Sequence, residues 1–197
     1  MKNMTTMASM IAITNRHLCR PDRSFEEQIS YIASLGVKAI VLREKDLEES
    51  EYLSLARRIA PICMSAGIPL ILHNYQLAPM QVNSPYLHLP LSKLQSLSQN
   101  ERHDLSTSCK QIGTSVHSVD DAREAYALGA TYLFAGNIYE TDCKKGLPGK
   151  GLSYLHDVCS SVPIPVYAIG GISVDRLPEI MQAGAAGACM MSGFMQI

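Results

Sequence analysis

The sequence has almost no net charge. Its 17 Lys and Arg against 18 Asp and Glu leave a formal charge of −1 and a pI near 6.6. No global field therefore draws the chain to nucleic acid or to an anionic membrane, and any anion has to be recognised locally. Paired cysteines are also lacking. The six present (Cys19, Cys63, Cys109, Cys143, Cys159, Cys189) include no C-x-x-C and have no histidine at ligand spacing, which excludes a structural zinc site and a disulfide framework and fits a reducing cytoplasm. Long apolar runs are missing too. The first fourteen residues carry one lysine and too short an apolar run for a secretory signal, and no later stretch reaches the length of a membrane span. The G-x-G-x-x-G turn of a dinucleotide fold is absent after the first strand, where Thr14-Asn15-Arg16 stands instead.

What is present is a repeat of short β-rich runs and longer helical ones. With 197 residues, 47% of them hydrophobic and 18% charged, the chain suits one compact domain over residues 10–197 after a short extension over 1–9. Strands are expected at Met10–Thr14, Val37–Leu42, Ile68–His73, Tyr86–Leu89, Gln111–Ser115, Tyr132–Ala135, Val166–Ile169 and Ala188–Met191. Apolar residues at helical spacing mark helices over Ser24–Leu35, Glu49–Ser65, Val119–Leu128, Leu152–Cys159 and Val174–Ala183, with shorter ones over Leu77–Val82 and Ser92–Leu97. Three helices run into glycine before the next strand, at Gly36, Gly67 and Gly129, as a left-handed helix end requires. Eight such units predict an α/β fold, a TIM (β/α)8 barrel, with an open doubly wound sheet as the competitor. The sequence stops six residues past the expected eighth strand. The usual closing helix is therefore expected to be missing, and the apolar surface this uncovers predicts a homo-oligomer contact.

In a barrel, ligands sit at the C-terminal ends of the strands, and a phosphate commonly lies between the loops after strands seven and eight. Gly170-Gly171 ends strand seven and Ser192-Gly193 ends strand eight. Backbone without side chains can approach an anion there, although tight turns alone would also account for glycine. Strand two ends in Val41-Leu42-Arg43-Glu44-Lys45. Alternation puts Arg43 and Lys45 on one face and Glu44 on the other, so the two cations meet either an anionic ligand or a carboxylate of the barrel. Strand five ends in Gly113-Thr114-Ser115-Val116-His117, with Ser115 and His117 sharing a face and His117 able to move a proton. His73 and His88 are weaker candidates. The stretch from Gly136 to Gly151 after strand six holds Asn137, Thr141, Lys144, Lys145 and Lys150 among glycines; it reads as a cationic lid or as a solvated basic loop.

With those residues in view, the chain resembles the thiamin phosphate synthase superfamily, and within it the thiazole tautomerase (TenI-type) branch. Arg43-Glu44-Lys45, Gly113-x-Ser115-Val116-His117-Ser118, the run from Glu140 to Gly146, Ala168-Ile169-Gly170-Gly171 and Ser192-Gly193 carry the resemblance in the family's order. The synthases couple a pyrimidine diphosphate to a thiazole phosphate with Mg²⁺. They have Gln two residues before the strand-two Arg, Asn-Asp after strand three, an Asp shortly after His-Leu-Gly, and Thr-x-Thr-Lys in the strand-six loop. Here Val41, His73-Asn74, Pro90-Leu91-Ser92-Lys93 and Cys143 stand in those places. The resemblance thus implies a metal-free, cofactor-free isomerase that shifts a proton on a thiazole carboxylate phosphate, with transferase activity less favoured and a non-catalytic ligand-binding barrel as a further alternative. It implies catalytic roles for His117 and Asn137, the latter standing where the branch has histidine. Arg43, Lys45, Ser115, Thr141, Lys144, Gly170, Gly171, Ser192 and Gly193 are implied to hold the phosphorylated thiazole.

Overall fold

The computed structural model describes residues 6–141 and 146–197. Eight parallel strands, β1 (Met10–Ile13), β2 (Ala39–Leu42), β3 (Leu70–His73), β4 (Tyr86–Pro90), β5 (Gln111–Val116), β6 (Tyr132–Gly136), β7 (Val166–Ile169) and β8 (Gly187–Met190), close in sequence order with β8 against β1. The expected barrel is the observed one. Most strands, such as β1, β2 and β7, read as unbroken apolar runs because both of their faces are covered. Ile11, Ile13, Val41, Ile71, Phe134, Tyr167 and Cys189 fill the inside. Met10, Ala12, Ile40, Leu42, Leu70 and Leu72 face the helical layer.

That layer consists of α1 (Phe25–Ser34), α2 (Glu49–Ser65), α3 (Ala78–Val82), α4 (Leu91–Ser96), α5 (Gln99–Ser108), α6 (Val119–Ala127), α7 (Gly151–Ser161), α8 (Leu177–Gln182) and α9 (Ser192–Met195). Gly36, Gly67 and Gly129 take φ of 73°, 69° and 96° after their helices, the left-handed turn the sequence called for. Two expectations need correction. Helix α5 was not foreseen, because Leu105 is its one buried residue and one apolar position makes no periodic stripe. The expected helix over 174–183 is divided into a 3-10 turn, Val174–Arg176, and α8.

The chain's end is tied down. After β8 comes the four-residue α9. Buried Gln28 on α1 donates to the carbonyls of Phe194 (2.7 Å) and Ile197 (3.2 Å), and Arg23 Nη1 donates to Ile197 O at 2.9 Å. No helix among the described residues is long and apolar enough to cross a membrane.

Candidate active site

The site is assembled at the C-terminal ends of the strands, beginning with β2. Tyr52 on α2 donates its hydroxyl to Leu42 O (2.8 Å) and accepts from His73 N (2.7 Å), which pins the ends of β2 and β3 side by side. Burial pushes its phenol well above the usual range. Just past that clamp, Glu44 is 3% exposed and turned away from the mouth. It accepts from Thr14 Oγ1 at 2.6 Å, from the Arg16 amide and from Arg16 Nη1 at 3.1 Å. Thr14 Oγ1 in turn accepts from Arg43 N at 2.9 Å. Glu44 is therefore a partner of Arg16. Alternation sends Arg43 the other way, with Nη1 3.9 Å from Met191 Sδ at the end of β8.

A polar column descends from the mouth into the barrel. His73 and His88 stack with ring centroids 6.0 Å apart, and His88 lies 4.2 Å from the Phe134 ring. His88 Nε2 is 2.9 Å from Ser115 Oγ, and His88 Nδ1 is 3.3 Å from Tyr132 Oη. Tyr132 also donates to Leu87 O at 3.2 Å. A carbonyl can only accept, so the single phenolic proton goes to Leu87. The Tyr132 oxygen then takes the Nδ1 proton of His88, and Nε2, left bare, takes the hydroxyl proton of Ser115. Complete burial, with His73 and Arg43 nearby, holds His88 neutral well below the usual imidazole range. Sequence reasoning ranked His88 low and missed Tyr132. The β4–β5–β6 register aligns His88 with Gly113 and Gly113 with Tyr132, and no local motif encodes that alignment.

Burial lowers the His73 pKa from 6.5 to about 3, assisted by the positive charges of Arg43, Lys45 and Lys93. The folded state thus refuses a proton that the unfolded chain accepts below pH 6.5. This part of the stability is complete above 6.5 and is lost as pH falls towards 3. The expected slope approaches 1.4 kcal/mol per pH unit for the one proton, roughly, over that window. Urea midpoints for wild type and His73→Gln from neutral pH downward check it: the variant should lose one proton's worth of slope, and parallel curves would refute the assignment.

His117 lies one residue past β5 and is exposed. Its Nδ1 is 2.7 Å from Gly136 O and its amide donates to Asp121 Oδ2 at 2.7 Å. The Gly136 carbonyl fixes the proton on Nδ1, so exchange with a ligand falls to Nε2. Asn137 is 5% exposed, and its amide group donates to Tyr139 O (3.3 Å) and Pro148 O (3.5 Å). It thereby braces the loop after β6. That loop is fastened at both ends: Tyr139 hydroxyl to Glu179 on α8 with Arg176 stacked over the Tyr139 ring at 4.1 Å, and Lys150 Nζ to His117 O. Thr141 lies on this loop, and Lys144 falls outside the described residues.

Gly170 and Gly171 have φ of 99° and 65°. A Cβ on Gly170 would come within 2.5 Å of Asn137 Cβ, and one on Gly171 within 2.4 Å of Glu140 O. The glycine pair thus makes room for the β6 loop. Since β7 pairs with β8 through Ile169 and Cys189, the turn at Gly170-Gly171 stands beside the start of α9 at Ser192-Gly193. One cation escaped the sequence reading. Lys93 on α4 donates from Nζ to Asn74 O at 3.1 Å, and its ammonium lies 5.7 Å from the Tyr75 ring centroid.

The profile of the family described as thiamine monophosphate synthase matches residues 10–194. A thiamine-phosphate synthase of Halalkalibacterium halodurans is 31% identical over 189 residues, covering 93% of this chain and 85% of that protein. One from Syntrophomonas wolfei is 31% identical over 193 residues, covering 95% and 88%. Among solved structures, the thiamine phosphate pyrophosphorylase from Pyrococcus furiosus superposes with a TM-score of 0.80 at 25% identity, covering 98% of this chain and 90% of that one. These relatives correct the isomerase expected from the sequence. They carry synthase names, not that of the tautomerase branch, so transferase chemistry takes precedence over proton shift. That expectation weighted a few replaced motif positions above likeness spread along the whole barrel.

Proposed function

Because the chain belongs to the thiamine monophosphate synthase family, we propose that it is a transferase that joins a pyrimidine diphosphate to a thiazole phosphate. The ring nitrogen of the thiazole forms a bond to the pyrimidine's methylene carbon as that carbon's bond to oxygen breaks. Pyrophosphate departs with the electron pair, and the nitrogen keeps the positive charge. The observation that supports this reading is one mouth with two anion-favouring sides, in a chain whose relatives over 85% and 88% of their length are named synthases. Gly170, Gly171, Ser192 and Gly193 face the thiazole phosphate. Arg43 and Lys45 face the diphosphate, whose departure needs positive charge already in place. His117 and Ser115 border the space between, and Thr141 belongs to the loop above it.

The family's synthases use Mg²⁺, and the residues here do not fit that ion. Magnesium is held by carboxylate and other hard oxygen ligands. Glu44 is committed to Thr14 and Arg16, no group of three His, Cys, Asp or Glu among the described residues could hold a metal, and the ammonium of Lys93 lies on the backbone of Asn74. No step of the proposed reaction is routed through the ion.

The test incubates the purified chain with both substrates and follows pyrophosphate release and thiamine phosphate formation. Wild type is expected to form both products in equal amounts. Arg43→Ala should lower kcat/KM by about 10²-fold or more, as loss of one preorganised charge at a departing anion does. Absence of pyrophosphate release from wild type under any metal condition would remove the reading.

A further inference from the structure

We propose that Lys93 takes the place of the divalent cation in this mouth, so that diphosphate is held by ammonium and guanidinium groups and binds without magnesium. The choice of diphosphate as ligand rests on the synthase reading above; the cation cluster itself does not.

Three observations carry the inference. First, β2, β3 and β4 pair side by side, Leu42 with Leu72 and His73 with His88, so that Arg43 just past β2 and Lys93 three residues past β4 flank the end of β3, and their charges, with that of Lys45, bear on His73. Second, Lys93 is held in place. Its Nζ donates to Asn74 O at 3.1 Å, and Asn74, at φ 75°, anchors its own amide on His88 O at 3.0 Å. A left-handed non-glycine residue locked to the next strand aims that carbonyl, and with it the ammonium. Third, the first two carboxylates that follow β2 are both engaged elsewhere, Glu44 by Thr14 and Arg16 and Asp46 by Arg16 and His17. A dication here would meet a fixed ammonium where it needs carboxylates, whereas a diphosphate would meet three donors carrying positive charge. Lys93 also stands in the stretch Pro90-Leu91-Ser92-Lys93 after His88-Leu89, where the family resemblance leads one to expect an acidic residue and none is present.

The reaction balances without the metal. The carbon–oxygen bond breaks with both electrons going to diphosphate, whose new negative charge falls among cations already present, and no oxidant, reductant or proton donor is needed.

The experiment is calorimetric titration of inorganic pyrophosphate into the full chain in EDTA, for wild type, Lys93→Ala and Lys93→Asp, with circular dichroism to confirm that each is folded. The two-substrate assay is run in parallel in EDTA and in magnesium. Wild type is expected to bind pyrophosphate in EDTA. Lys93→Ala should weaken binding about tenfold or more, the size of one charge-assisted contact. Lys93→Asp should lose binding in EDTA and regain it with magnesium. Wild type that binds only with magnesium, or Lys93→Ala that binds like wild type, overturns the proposal. The two readings separate cleanly: product formed with magnesium alone retires the lysine substitution and leaves the synthase. Tight binding in EDTA without product under either condition retires the synthase and leaves the lysine site.

Discussion

Gly113→Ala is expected to destabilise the barrel by about 3 kcal/mol or more, at the upper end of what overpacking a core costs. The added Cβ would lie 2.0 Å from Tyr132 Cζ, with Cε2 at 2.2 Å and Cε1 at 2.5 Å. Such a clash is cheap only where the ring can swing away. This ring cannot. Its hydroxyl is tied to Leu87 O and His88, and it rests against Phe134 at 5.4 Å and Tyr167 at 6.4 Å between centroids. Moving it breaks the polar column and opens the aromatic core in one step. Urea unfolding of Gly113→Ala, Tyr132→Leu and the pair checks this. The pair should cost clearly less than the sum of the singles, because the smaller side chain vacates the space that the methyl needs. Additive costs, or a Gly113→Ala loss below about 1 kcal/mol, would show that the ring is not confined.

Glu44→Ala is the second large effect, and it bears on function as well as stability. The Glu44 side chain is 1% exposed and Thr14 is fully buried. Removing the carboxylate strands the Thr14 hydroxyl, the Arg16 amide and one side of the Arg16 guanidinium, a loss of about 3 kcal/mol for one partner of a buried pair. Thr14 Oγ1 also accepts from the Arg43 amide, so Arg43 loses its alignment when Thr14 turns. Where the variant remains folded, kcat/KM should fall by about tenfold or more, as small displacements of positioning groups do. Glu44→Gln, which still accepts from Arg16, should recover most of the stability. A variant as stable as wild type, or as active when folded, would mean that the Thr14–Glu44 link does not position Arg43.

The fold was legible in the sequence because most of its parallel strands, buried on both faces, leave apolar runs between helical stretches, and every expected strand overlaps an observed one. The ends of β2 and β3 nearest their helices were placed two residues early, at Val37 and Ile68 instead of Ala39 and Leu70. Both residues are apolar for packing, not for pairing. Helix α5 escaped because its evidence was a cap and not a stripe: Ser98 and Glu101 form a reciprocal capping box, a pattern present in the sequence at the right spacing. In the site, alternation separated Arg43 from Glu44 correctly, since it depends on a single strand. The Tyr132–His88–Ser115 column depends on register among three strands, with partners 44 and 27 residues apart. Nothing local carries such information. The branch of the family was misjudged for a related reason: single replaced residues, Lys93 among them, say which charge occupies a place but not whether the chemistry has adapted around it.

The Tyr132–His88–Ser115 column has a polarity, and that polarity reaches the ligand. Each hydroxyl or imidazole proton in it points down, away from the opening, towards a carbonyl deep in the wall. Ser115, at its upper end, has already given its hydrogen and keeps lone pairs for whatever arrives. A ligand group seated there must bring hydrogen of its own, as an amino substituent does. Under the proposed synthase reading, a phosphate oxygen would gain nothing at that point and would be left to the cations on one side and the glycine segments on the other. On that reading, the direction of one buried row of protons would therefore decide which end of a substrate meets the column.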